Sequence, residues 1–224
     1  MSRSGSGPRQ RVRTAKGRKI GSTRWLERQL NDPYVKRAKA EGYRSRAAYK
    51  LIELDERFGF LKGAKKVVDL GIAPGGWTQV VRLNVPKAEI VGIDLLPTDP
   101  IEGATILEMD FMDDSAPDRL RDALGGPADL VLSDMAANTV GHPQTDHLRT
   151  MGLVEAALQF AVEVLRPGGA FVAKVLAGGA DASLVAELKR RFGEVKHAKP
   201  PASRKGSSEW YVVAKGFKGP PVQS

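Results

Sequence analysis

Residues 67–81, VVDLGIAPGGWTQVV, decide the fold. With Lys66 added, the first part is a short β-branched run, Lys66–Leu70, that reads as a strand. Gly71, Gly75 and Gly76 follow. Glycine at a strand-to-helix turn permits positive φ and lets a ligand approach the backbone closely. A helix is predicted next, over Gly76–Val85. Strand, glycine-rich turn and helix in that order form the opening unit of an α/β sheet, which binds ligands at the carboxyl ends of its strands.

The same texture continues outward. Further strands are predicted at Glu89–Asp94, Thr105–Met109, Asp129–Ser133, Ala170–Val175 and Glu209–Ala214, and helices at Ala116–Leu124, Asp146–Leu165 and Ala182–Phe192. The longest helix places Met151, Val154, Leu158, Ala161 and Leu165 on one face and stops before Pro167-Gly168-Gly169. Strands alternating with helices imply a mostly parallel central sheet covered by helices on both faces. No repeat or break in composition interrupts residues 60–216. Toward the N-terminus, Ala47, Leu51, Leu54 and Phe58 make one apolar stripe of a helix over Ser45–Phe58, with Ser45 as its N-cap. Lys50 falls about 70° from the centre of that stripe, at the border of core and surface. Residues 23–216 therefore read as one domain, with an arm at 1–22 and a tail at 217–224.

The chain has 224 residues, 42% of them hydrophobic, enough to build one core without staples. Its charge of +9 is unevenly placed: residues 1–50 hold 15 basic and 3 acidic residues, so the rest of the chain is slightly acidic. The arm is basic, acid-free and rich in glycine, which predicts disorder. Its cations suit an RNA-contacting arm, which gains affinity by releasing phosphate counterions, or a solubilising tail. Zero cysteine excludes disulfides, a thiolate nucleophile and cysteine-ligated zinc. His142, His147 and His197 lack ligand spacing and read as exposed loop residues, so no metal is expected. No apolar run reaches the roughly 18 residues of a membrane span. A soluble, cytoplasmic, monomeric protein with no membrane partner is expected.

The loops after the strands hold the chemistry. The second strand ends in Asp94, 23 residues after Gly71, where a carboxylate suits the two hydroxyls of an adenosine ribose. A dinucleotide site wants glycine where Ala73 stands, and Pro74 removes an N–H that a phosphate cradle would use. An adenine nucleoside without phosphates fits better, and S-adenosylmethionine is such a cofactor. Asp110, after the third strand, suits the adenine amine. Asp134, after the fourth, faces the sulfonium, the amino group or the reacting atoms. Each could instead be a helix N-cap. Lys174 interrupts an otherwise apolar central strand, which lysine seldom does without purpose. It would act as a base only if burial and a second cation, for which Lys50 is available, lowered its pKa against the pull of the acids. Glu209 opens the last strand after the basic loop Lys199–Ser208.

Six segments match a known family: RSRAAYKL (44–51), VVDLGIAPGGWTQVV (67–81), DLLPTDPI (94–101), LSDMAAN (132–138), LRPGGAFVAKV (165–175) and KPPASRKGSSEWYVVA (199–214). From about Thr23 to Lys215 the chain resembles the FtsJ-type family of large-subunit ribosomal RNA methyltransferases, which methylate a ribose 2′-oxygen. The resemblance implies a Rossmann-like methyltransferase fold, S-adenosylmethionine as cofactor and a catalytic tetrad of Lys50, Asp134, Lys174 and Glu209. It further implies cofactor contacts at Gly75, Trp77, Asp94, Asp110 and Asp134. The implied substrate is a uridine in the A-loop of large-subunit rRNA, presented on the assembled large ribosomal subunit. Another RNA target (a tRNA, an mRNA cap or mitochondrial rRNA) or a non-catalytic RNA-binding assembly factor are the rivals. Ala137 stands where the family carries proline, which is expected to loosen the loop over the substrate without removing a chemical group.

Overall fold

A computed structural model of the protein describes residues 20–137, 141–176 and 182–219. Three N-terminal helices, α1 (Ile20–Asn31), α2 (Pro33–Glu41) and α3 (Ala47–Phe58), precede an alternating body. The body runs β1 (Lys66–Leu70), α4 (Gly76–Asn84), β2 (Glu89–Asp94), β3 (Ala104–Glu108), α5 (Ala116–Leu124) and β4 (Ala128–Ser133). It continues through α6 (Pro143–Val164), β5 (Leu165–Leu176), α7 (Ala182–Arg191), β6 (Phe192–Ala198) and β7 (Glu209–Phe217). The seven strands form one sheet in the order β3-β2-β1-β4-β5-β7-β6. The pairs from β3 to β5 are parallel. β7 inserts antiparallel between β5 and β6. This is the expected mostly parallel α/β sheet, and the order reverses between β1 and β4, where such sheets bind ligands.

Strand alternation sends neighbouring residues to opposite faces, and both faces are buried. Val68, Leu70, Val131, Phe171, Ala173 and Val212 pack on the side of α5, α6 and α7. Val67, Leu130, Leu132, Val172, Tyr211 and Val213 pack on the side of α3 and α4, together with Ala48, Leu51, Leu54 and Trp77. Lys174 has the parity of Val172, and Glu209 that of Tyr211. Both therefore belong to the face that α3 covers. The register pairs Lys174 with Tyr211 and Leu176 with Glu209.

Four expectations change. α1 begins at Ile20, so the predicted arm loses its last three residues to a helix; the rest of it lies outside the described residues. A helix's first turn makes few demands, because its N–H groups have no intrahelical partner. Second, Ser45 does not cap α3: Arg46 takes the N-cap position without a side-chain bond, and the Ser45 hydroxyl has no hydrogen-bond partner. Ser45 is instead pressed against the start of α4, where a Cβ on Gly76 would meet its Oγ at 2.5 Å. Third, β6 went unpredicted because it is an edge strand with only Phe192 and Ala198 buried, which leaves no period-2 signal. Fourth, β7 runs on through Phe217, which is 2% exposed, and the Lys218 ammonium donates to the carbonyls of Lys189 and Arg190 at the end of α7. The domain therefore takes in residues assigned to the tail.

Candidate active site

The turn after β1 is shaped by close approach. Gly71 has φ +82, and a Cβ there would lie 2.9–3.1 Å from Met135 Cγ, N and Cα, so only glycine lets the β1 and β4 ends converge. Beside that contact opens a cleft of about 290 Å³ lined by Gly71, Ala73, Asp94, Asp110, Phe111 and Asp134, with Leu95, Leu96, Met135 and Leu153 among its apolar walls. Three carboxylates line it and, among the described residues, no lysine or arginine does. A phosphate-bearing cofactor would meet the like charge of these three carboxylates. A cationic, phosphate-free nucleoside suits it.

Asp94 and Asp110 also build the loops they stand on. Asp94 accepts from the Ala73 and Leu96 amides, both at 2.9 Å, and Asp110 from the Met112 amide at 2.9 Å. Each carboxylate keeps lone pairs for a ligand. Gly75 and Trp77 stand outside the lining. Gly75, at φ +106, allows Ile101 and Arg44 to close over the turn. Trp77 is buried and donates from its indole to Ala47 O at 2.8 Å, fastening α4 to α3. Arg44 completes that clamp, donating to the carbonyls of Pro74, Asp99 and Pro100 at 3.2, 2.7 and 2.8 Å.

Lys50, Asp134, Lys174 and Glu209 come from α3, the end of β4, β5 and the start of β7, and meet at one point. Lys174 Nζ lies 2.9 Å from both Asp134 Oδ1 and Asp134 O and 3.7 Å from Glu209 Oε2. Lys50 Nζ lies 2.8 Å from Glu209 Oε2 and 4.0 Å from Asp134 Oδ2. Lys50 is deeper than its border position implied, at 8% exposed. Two ammoniums and two carboxylates compensate one another, so each buried charge has a partner and desolvation is offset.

Burial pushes the Lys174 ammonium toward neutrality, but Asp134 and Glu209 outweigh it and hold its pKa above the ordinary lysine value. The acids win the contest that the sequence left open. Burial likewise opposes ionisation of Asp134, and Lys174, Lys50 and hydrogen bonds from Lys174 and Tyr211 overcome it, keeping the carboxyl below its usual range. Glu209 is lowered in the same way, against burial, chiefly by Lys50 and then Lys174.

Two further residues belong to this point. Tyr211 donates from its hydroxyl to Asp134 Oδ1 at 2.7 Å, and Ser203 donates to Glu209 Oε1 at 2.8 Å. Tyr211 was legible only as a buried strand aromatic. Its parity with Glu209 was the available signal.

Asp134 opens toward the cleft, while Lys50 and Glu209 line a second depression of about 550 Å³ whose other walls include Arg28, Arg46 and Arg204. The charge cluster thus bridges an acidic cleft and a basic groove. Among the described residues no group of three metal-ligating side chains occurs, and no helix is long and apolar enough to cross a membrane. His142 is the N-cap residue of α6, His147 lies on α6 and His197 on β6, so the last two are not loop residues.

Known proteins resemble this chain closely. It is 77% identical to a ribosomal RNA large subunit methyltransferase E of Rhizorhabdus wittichii, over 99% of this chain and 96% of that one. It is 74% identical to the enzyme of that name from Novosphingobium aromaticivorans, over 99% and 100%. Among solved structures, a ribosomal RNA methyltransferase from Plasmodium falciparum matches with a TM-score of 0.71 and 34% identity, over 80% of this chain and all of that one. The sequence profile of the FtsJ-like methyltransferases spans residues 43–217, from the turn before α3 to the last residue of β7, and the chain belongs to that family.

Proposed function

We propose that the protein transfers a methyl group from S-adenosylmethionine to the 2′-oxygen of a uridine in the A-loop of large-subunit ribosomal RNA, acting on the assembled subunit in the cytoplasm. The observation that carries this reading is the bridge between the two depressions: Asp134 faces the cleft, and Lys50 and Glu209 face the groove. A cationic cofactor and a polyanionic substrate would be sorted to opposite sides by charge alone. The names of the 77% and 74% identical relatives support the ribosomal target.

S-adenosylmethionine supplies an electrophilic methyl group on a positively charged sulfur. Asp94 would hold the ribose hydroxyls, Asp110 the adenine amine, and the Gly71 and Ala73 backbone the approach to them. Gly75 and Trp77 support that loop from behind. Asp134 would attract the positive end of the cofactor while fixing Lys174. Lys174 would hold the 2′-oxygen in line and receive or pass on its proton. Lys50 would contact the RNA backbone beside the target and pair Glu209, which keeps the two lysines apart in register. Arg28, Arg46 and Arg204 would receive neighbouring phosphates, and the arm would add affinity.

The reading is tested by mapping ribose methylation in rRNA from cells lacking the gene. Loss of one A-loop mark, restored by wild type and not by Lys174→Ala, is expected. An intact mark, with loss elsewhere or none at all, would assign the chain to another RNA or to a non-catalytic assembly role.

A further inference from the structure

The basic loop between β6 and β7 is held unusually firmly at one point. Ala202 is fully buried against Ala38 and Tyr49. Its amide donates to Glu53 Oε2 at 2.6 Å, and its carbonyl accepts from Arg46. Glu53 is itself fixed by the Tyr34 hydroxyl at 3.0 Å. Asp32, the N-cap of α2, is 9% exposed and its Oδ2 pairs with Arg46 Nε at 3.2 Å and Arg204 Nη2 at 3.3 Å. Two acids from the N-terminal helices therefore pin the turn on both sides of Ser203.

Ser203 is 4% exposed, and its hydroxyl reaches Glu209 Oε1. The other oxygen of Glu209 is the one that faces Lys50 and Lys174. With Oε1 held by Ser203, the plane of the Glu209 carboxylate is set so that Oε2 points at both ammoniums. Removing the Ser203 hydroxyl frees the carboxylate to rotate out of that plane and to drift from Lys174.

We infer that Ser203 is a positioning residue for Glu209, delivered by a turn that Asp32 and Glu53 lock to the N-terminal helices. The inference rests on the reading of Glu209 as part of the active site. The N-cap of α2 and the body of α3 thereby set the geometry of the charge cluster through residues 202–204.

The test measures single-turnover methylation of large subunits isolated from cells lacking the gene, with Ser203→Ala, Glu209→Ala and the double variant. Hydrogen bonds to charged groups are among the stronger ones, so Ser203→Ala should slow methyl transfer about tenfold. Cofactor and subunit affinities should stay within about twofold of wild type, since neither ligand's charge contacts are removed. Glu209 is one of the two carboxylates that hold the Lys174 pKa up, so its drift should move the acid limb of the rate profile to lower pH. In the Glu209→Ala background, Ser203→Ala should add nothing. An unchanged rate in Ser203→Ala, or an equal slowing with and without Glu209, would overturn the inference. An unimpaired Glu209→Ala enzyme would instead overturn the reading of Glu209 itself, and the inference with it.

Discussion

Asp69 offers a test in which the magnitude follows from the structure. It stands on β1 at 1% exposure, with one oxygen accepting from Thr78 Oγ1 at 2.7 Å and the other without a partner. Burial, partly countered by the Thr78 hydrogen bond and reinforced by Asp134 and Asp94, pushes its pKa up from 3.8 to about 7. Between those values the folded protein holds a proton that the unfolded chain has lost. Stability therefore falls as pH rises through this window and levels off above about 7. At about 1.4 kcal/mol per pH unit, the whole shift amounts to about 4 kcal/mol, and the part between pH 5 and 7, where the group is half ionised at the upper end, to about 2 kcal/mol.

Asp69→Asn imitates the protonated acid. Its advantage over wild type should grow by about 2 kcal/mol from pH 5 to pH 7, rise slightly further to about pH 8 and then remain constant. Urea unfolding of both proteins across that range measures the difference, in which the effects of titrating groups distant from Asp69 cancel. A stability difference that does not change with pH would show that Asp69 is ionised throughout, and that Thr78 or water compensates it fully.

Other consequences concern the site. If Lys174 must lose its proton before methyl transfer, its raised pKa means that the single-turnover rate climbs about tenfold per pH unit from 6 to 9; a plateau near neutrality would assign the proton to another group. Arg44→Ala should weaken cofactor binding several-fold, because its guanidinium is spent on three carbonyls around the cleft, while RNA affinity keeps its salt dependence; titration of each ligand by calorimetry and filter binding separates the two. Removing residues 1–19 should weaken subunit binding and flatten its salt dependence by about 0.7–0.9 per lost phosphate contact, with the bound-state methylation rate unchanged. An unaltered slope would make the arm a solubilising tail.

The parts of the fold that obey a strong period were legible. β1, β2 and α5 stand at their predicted residues, because each carries an apolar pattern bounded by glycine or a charged turn. β6 carried no such pattern, and the start of α1 lacked one too. The candidate site was legible for a related reason. Acids and a lysine at successive strand ends of a parallel sheet must converge, and alternation from Val172 to Lys174 and from Tyr211 to Glu209 puts them on the face of α3. What the sequence could not supply was depth and partner choice. Lys50 read as a border residue, yet pairing with Glu209 lets it sink. The sign of the Lys174 shift depends on distances to two carboxylates, and the supporting contacts of Ser203, Asp32 and Glu53 join residues up to 172 positions apart.

Methyl transfer to a ribose oxygen by this charge cluster can be measured without intermediaries. Its most direct measurement uses S-adenosylmethionine with a labelled methyl group, large subunits from cells lacking the gene, and nucleoside analysis of the digested RNA. Label is expected in 2′-O-methyluridine alone with the wild-type protein, and none with Lys174→Ala despite undiminished cofactor binding. Label on a base, or label retained by Lys174→Ala, would contradict this expectation.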